Sequence, residues 1–172
     1  LNKIINENKF IESYSLAKLK SFNPNIFSCC DKHRMYIEII QNSNKDIKEG
    51  AVFNETGIIG QVVNNKSFYE VMLLTDTKSS IPLTNSKGDF YCNALGSGVS
   101  GYITCSYNQL VWSDDHELGE KFFSSGLGGI YPKGIEIGNL ESIKIIDAST
   151  TLLKIKLISN PLHSNLFGVI KL

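Results

Sequence analysis

From Pro24 onward, hydrophobic and polar residues alternate in short blocks. A period of two places apolar side chains on one face of a half-buried strand. In residues 34–40, Met35, Ile37 and Ile39 share one face and Glu38 takes the other. The same reading predicts strands at 25–30, 51–53, 58–63, 69–75, 81–83, 90–95, 102–107, 121–123, 135–138, 151–158 and 167–172. In 151–158, Leu153, Ile155 and Leu157 oppose Lys154 and Lys156. Residues 42–45 and 64–67 are rich in Asn, Ser and Lys and read as turns.

The first twenty residues read differently. They hold no Gly or Pro, and Ile4, Ile11 and Leu19 fall near one helical stripe while Leu1, Ile5 and Leu16 fall near another. This predicts a helix over residues 1–22, with Pro24 ending it and the end of a coiled coil as its functional reading.

Residues 124–134 carry the densest turn chemistry. Gly126, Gly128, Gly129 and Gly134 surround Pro132, between the strands at 121–123 and 135–138. Glycine takes positive φ without strain and proline fixes one φ, so the stretch reads as a tight inter-strand connection. An anion cradle would need a helix after the glycines, and no helical pattern follows.

Composition narrows the partners. Lys plus Arg and Asp plus Glu each number 17, so no net basic charge favours nucleic acid or a polybasic membrane anchor. At 172 residues the chain can bury a substantial core. It has no apolar run long enough, at about 18 residues, to span a bilayer.

Three stretches in order resemble one family. Gly126-Leu127-Gly128-Gly129-Ile130-Tyr131-Pro132-Lys133-Gly134 is similar to the glycine-rich signature of the rod-shape-determining MreC family. Gly57-Ile58-Ile59-Gly60-Gln61-Val62 resembles that family's GLVGRV strand, with Gln61 where Arg is frequent. The stretch from Val71 to Pro82, which reads VMLLTDTKSSIP, resembles a third motif. The resemblance covers roughly residues 30–172.

The fold it implies is mainly β, with two small six-stranded-type barrels behind the N-terminal helix. A weak internal echo agrees, since residues 46–53 before Gly57 and 116–123 before Gly134 share an order of charged turn, strand and glycine. The expected division is a helix or coiled-coil end at 1–22, a first barrel from 23–86 with 148–172, and a second barrel at 87–147.

Two barrels also invite comparison with chymotrypsin-like hydrolases, whose test is a catalytic triad. Leu127 stands where such a protease would carry its nucleophile, with Ser124 and Ser125 before the glycines. His33, His116 and His163 are scattered outside any base motif and read as surface or loop residues. Asp76, in Leu74-Thr75-Asp76-Thr77-Lys78, reads as a side-chain-to-backbone turn rather than a catalytic acid. Residues 114–117 lack the ligand spacing of a calcium loop. Cys29, Cys30, Cys92 and Cys105 show no CxxC spacing, so no metal site is expected. With a hairpin loop at 97–100, Cys92 would lie opposite Cys105, Phe90 opposite Tyr107 and Ala94 opposite Ile103. That leaves a Cys92–Cys105 disulfide open beside two reduced core cysteines.

No catalytic residue and no cofactor are expected. The resemblance implies a non-catalytic scaffold of the bacterial cell-wall elongation complex that maintains rod shape. Its implied partners are a class B penicillin-binding transpeptidase, MreD, MreB and copies of itself. Its implied place is the extracytoplasmic face of the inner membrane, held by an upstream single span. A double-barrel hydrolase and a small-ligand or glycan-binding barrel are the alternatives. For the partner surface, residues 102–112 are the most aromatic stretch of the second barrel, and Tyr102, Leu110 and Trp112 are the candidate anchors.

Overall fold

A computed structural model describes residues 14–24, 30–41, 47, 49–66, 68–112 and 115–171. Within them lie twelve strands: β1 (Ser15–Phe22), β2 (Arg34–Gln41), β3 (Gly50–Asn54), β4 (Gly57–Asn64), β5 (Tyr69–Leu73), β6 (Ser80–Asn85), β7 (Tyr91–Gly96), β8 (Tyr102–Asn108), β9 (Lys121–Ser124), β10 (Glu136–Ile145), β11 (Thr150–Leu157) and β12 (Leu166–Ile170). They close into two antiparallel six-stranded barrels, ordered β1-β12-β3-β4-β5-β2 and β10-β11-β8-β7-β6-β9. No helix occurs among the described residues.

The alternation has a plain outcome. Ala17, Met35, Ile37, Val52, Ile59, Val62, Val71, Leu73, Phe167 and Val169 fill the first barrel. Ile81, Leu83, Ala94, Ile103, Cys105, Phe122, Leu153 and Ile155 fill the second. Ala51, Phe53, Ile58 and Ile170 belong to first-barrel strands, yet they pack in the same cluster as the second barrel's core. That is why β3 is buried at all five positions: one face looks into its own barrel and the other meets the neighbouring barrel. Close approach is enforced by glycine. A Cβ on Gly60 would stand 2.1 Å from Met72 O, and one on Gly168 would stand 2.3 Å from the Phe53 ring.

Three expectations need correction. Residues 15–22 form a strand, not the end of a helix; residues 1–13 of the expected helix lie outside the described residues. β1 pairs with β12 through Ala17–Phe167 and with β2 through Leu19–Ile37, so its strand form closes the first barrel. Register shifts between Leu16 and Ala17 and between Leu19 and Ser21 break the period-two pattern along β1. The division between barrels also shifts. Hydrogen bonding places β6 and β11, within the expected 23–86 and 148–172, in the second barrel, and β1 in the first. Finally, the β7–β8 hairpin pairs Ala94 with Cys105 and Gly96 with Ile103, two residues away from the expected register. The expected strand at 25–30 falls mostly on residues 25–29, outside the described set.

Candidate functional site

The glycine-rich connection follows β9 and returns the chain to β10. Gly126, Gly128, Gly129 and Gly134 all have φ between 71° and 83°, the left-handed region where a Cβ is strained. Ser124 closes the loop from inside: its hydroxyl donates to Pro132 O and accepts from Ile135 N–H at 3.0 Å, while Ser124 O accepts from Gly134 N–H at 2.8 Å. Ser125 Oγ accepts from Leu127 N–H. Both serines therefore serve the turn, and neither stands beside a histidine in any hydrogen bond.

The loop's purpose is to aim Tyr131. Its ring is buried in the cluster shared by the two barrels, and its hydroxyl donates to Gln61 Oε1 on β4 at 3.0 Å. Burial pushes the phenol pKa up from the usual tyrosine value, and the nearby Ser79 hydroxyl pulls weakly the other way. Ser79 Oγ is buried without a well-aligned hydrogen bond, so Gln61 is the firm partner. Tyr131, Gln61 and Ser79 come from the three stretches singled out in the sequence. Those stretches are one structural unit, the lock between the barrels.

A second brace lies beside it. The Asp76 carboxylate accepts from His33 N–H at 2.8 Å, Arg34 Nε at 2.9 Å and Lys78 N–H at 2.9 Å. Arg34 also reaches Glu70 at 3.3 Å. Asp76 thus takes the turn role expected of it, and it ties the segment before β2 to the β5–β6 connection. His33 lies in the loop before β2, as the loop reading expected, but it is 1% exposed rather than at the surface, and its Nδ1 shares a 2.6 Å hydrogen bond with Thr75 Oγ1. The carboxylate binds the His33 backbone and not its ring, so this is not a triad.

His116 also lies in a loop, with its side chain only 4% exposed. Its Nδ1 donates to Glu120 at 2.9 Å and its ring packs edge-on to Phe90, with centroids 4.4 Å apart. Phe90, Tyr107, Trp112 and Phe122 surround it and cap the second barrel. A cavity of about 150 Å³ opens beside this cap, lined by Asn85, Lys87, Asp89, Trp112 and Glu120 among others. His163 is half exposed near Glu55. Among the described residues, no three of His, Cys, Asp and Glu gather closely enough to hold a metal ion.

The three candidate anchors do not form one surface. Tyr102 begins β8, while Leu110 and Trp112 follow its end, roughly 20 Å away at strand rise. Tyr102 is half-buried with Lys154 Nζ 4.3 Å above its ring. Trp112 packs on Phe90 at 5.6 Å and on Tyr91 at 6.4 Å. Leu110 stands 78% exposed, beside Val111 at 71%. Cys92 and Cys105 are joined as a disulfide with Cα atoms 6.2 Å apart, diagonally across the shifted ladder rather than directly opposed.

The fold and these polar braces define a class: a double-barrel protein whose three motif stretches meet where the two barrels pack together. The model of the rod shape-determining protein MreC barrel core matches residues 27–171, and the chain belongs to that family. It is 32% identical over 112 residues to the cell shape-determining protein MreC of Haemophilus influenzae, covering 62% of this chain and 31% of that protein. It is 27% identical over 117 residues to the Escherichia coli protein of the same name, covering 67% and 31%. The chain thus spans about a third of the length of these curated relatives. The crystal structure of MreC from Pseudomonas aeruginosa superposes with a TM-score of 0.75 at 22% identity, covering 92% of this chain and 99% of that one. MreC from a complex with a penicillin-binding protein (PBP2) of Helicobacter pylori superposes at 0.66 and 18% identity, covering 91% and 96%.

Proposed function

We propose that this chain is the extracytoplasmic barrel region of a cell-shape scaffold that docks and regulates a class B penicillin-binding transpeptidase of the cell-wall elongation complex. The observation that carries the reading is the family match over residues 27–171, joined to a like-folded relative whose solved structure is a complex with PBP2. The polar chemistry supports a presenting role. Ser124, Ser125 and Asp76 spend their hydrogen bonds on backbone groups and a guanidinium, and His33 and His116 sit in separate barrels. A protein so built works through its surfaces. MreD, MreB and further copies of this protein are the other proposed partners, and an upstream membrane span is the proposed anchor.

The test is complementation. Cells depleted of their own MreC, supplied with the full-length protein containing this chain, should regain rod shape. Ser125→Ala should do so equally well. Loss of shape with abundant, folded Ser125→Ala protein would point to catalysis and overturn the scaffold reading.

A further inference from the structure

We propose that the free edge of β10, at residues 141–145, takes up an extended segment of a partner protein in which apolar and acidic residues alternate. β10 outruns its neighbour. It pairs with β9 only through Glu136, Gly138 and Asn139. Leu140 then exchanges backbone hydrogen bonds with Gly119 and Glu120. Beyond that point β10 continues beside β11 alone, from Ser142–Lys154 to Ile145–Thr151. Among the described residues nothing pairs with the other edge of 141–145, which leaves unpaired backbone donors and acceptors of the kind an added strand uses.

The side chains say what such a strand would carry. Ile143 is paired with the buried Leu153, so Ile143 and Ile145 lie on the sheet face that looks inward. Yet they are 41% and 70% exposed, because no strand among the described residues covers them. Ile146 follows, and the 146–149 turn is held by Gln109, whose amide reaches Ala148 O at 2.9 Å. Exposed Leu110 and Val111 therefore stand at the same end. The opposite face carries Lys144 and, opposite Ser142 on β11, Lys154, whose ammonium lies over the Tyr102 ring; neither is in an ion pair among the described residues. An incoming strand gains most with apolar residues toward Ile143 and Ile145 and carboxylates toward the lysines. A second copy fits poorly. Edge-to-edge pairing about a twofold axis would set the Lys144 and Lys154 of both copies on one face, where like charges repel. This inference stands apart from the transpeptidase reading, since it names a strand chemistry and not a particular protein.

The probe is a blocked seven-residue peptide alternating valine and glutamate, titrated into the whole chain and followed by NMR and amide exchange. Saturable binding is expected, with exchange protection rising at residues 141–145. Lys144→Glu with Lys154→Glu should weaken it tenfold or more, and Ile145→Asp should do likewise, with circular dichroism confirming the fold. A valine–lysine peptide should bind at least tenfold more weakly, and a peptide N-methylated at alternate amides should not bind. Equal binding of the lysine or N-methylated peptide, or protection elsewhere, overturns the proposal. So does a peptide-free dimer protected at 141–145, which would assign the edge to a second copy.

Discussion

Removing one oxygen at the barrel junction tests the structural reasoning most sharply. Tyr131→Phe keeps the buried ring and deletes only the hydrogen bond to Gln61. A net hydrogen bond contributes about 1 kcal/mol, rising toward about 2 kcal/mol if the Gln61 carbonyl stays unpaired. For a chain of this size, that corresponds to a Tm fall of roughly 2–8 °C. Urea unfolding gives the free energy directly, and a cycle with Gln61→Leu should return a coupling of about 1 kcal/mol. The same group predicts an alkaline signature. Its folded pKa is raised above the unfolded value near 10, so its contribution is complete below about pH 10 and is lost as pH climbs toward the folded value. In that window the wild type should lose stability relative to Tyr131→Phe by about 1.4 kcal/mol per pH unit. A Tyr131→Phe protein within 0.3 kcal/mol of wild type, with no coupling and no difference in alkaline slope, would refute the lock.

Other consequences can be checked in parallel. Gly96→Ala would put a Cβ 1.8 Å from Asp76 O, a backbone clash; it should destabilise by about 3 kcal/mol or more in the same urea assay. Mass spectrometry of unreduced peptides should recover Cys92 linked to Cys105, and free thiols at both would reject the link. Because Tyr102 and Leu110 lie at opposite ends of β8, their variants should separate: Leu110→Asp should weaken transpeptidase binding about thirtyfold, roughly 2 kcal/mol, whereas Tyr102→Ala should leave it within threefold.

Much of the fold was legible because two-residue periodicity survives wherever a strand runs straight. Arg34–Gln41, Tyr102–Asn108 and Thr150–Leu157 were read within a residue or two of their ends. Bulges hid the rest. In β10 the shift between Leu140 and Ser142 throws Ile143 and Ile145 out of phase with Leu140, so the strand's distal half left no clean alternation. β1 has a similar slip, and its pairing with β12, about 150 residues on, is a long-range fact no local window contains. The hairpin register failed because the connection runs over 97–102 rather than the 97–100 read from the sequence, so Gly96 pairs with Ile103. Site reading fared unevenly. The motif stretches were visible as sequence, but their convergence on the Tyr131 hydroxyl depends on how two barrels dock. Burial of His33 and His116 was equally invisible, because their partners Thr75 and Phe90 are tens of residues away in the chain.

Docking of a penicillin-binding transpeptidase is read by isothermal calorimetry of the chain against the periplasmic part of the cognate transpeptidase. Saturable one-to-one binding is expected, and Leu110→Asp should weaken it about thirtyfold. No binding heat and no complex by sedimentation at 100-fold excess of a folded transpeptidase over the folded chain would contradict it.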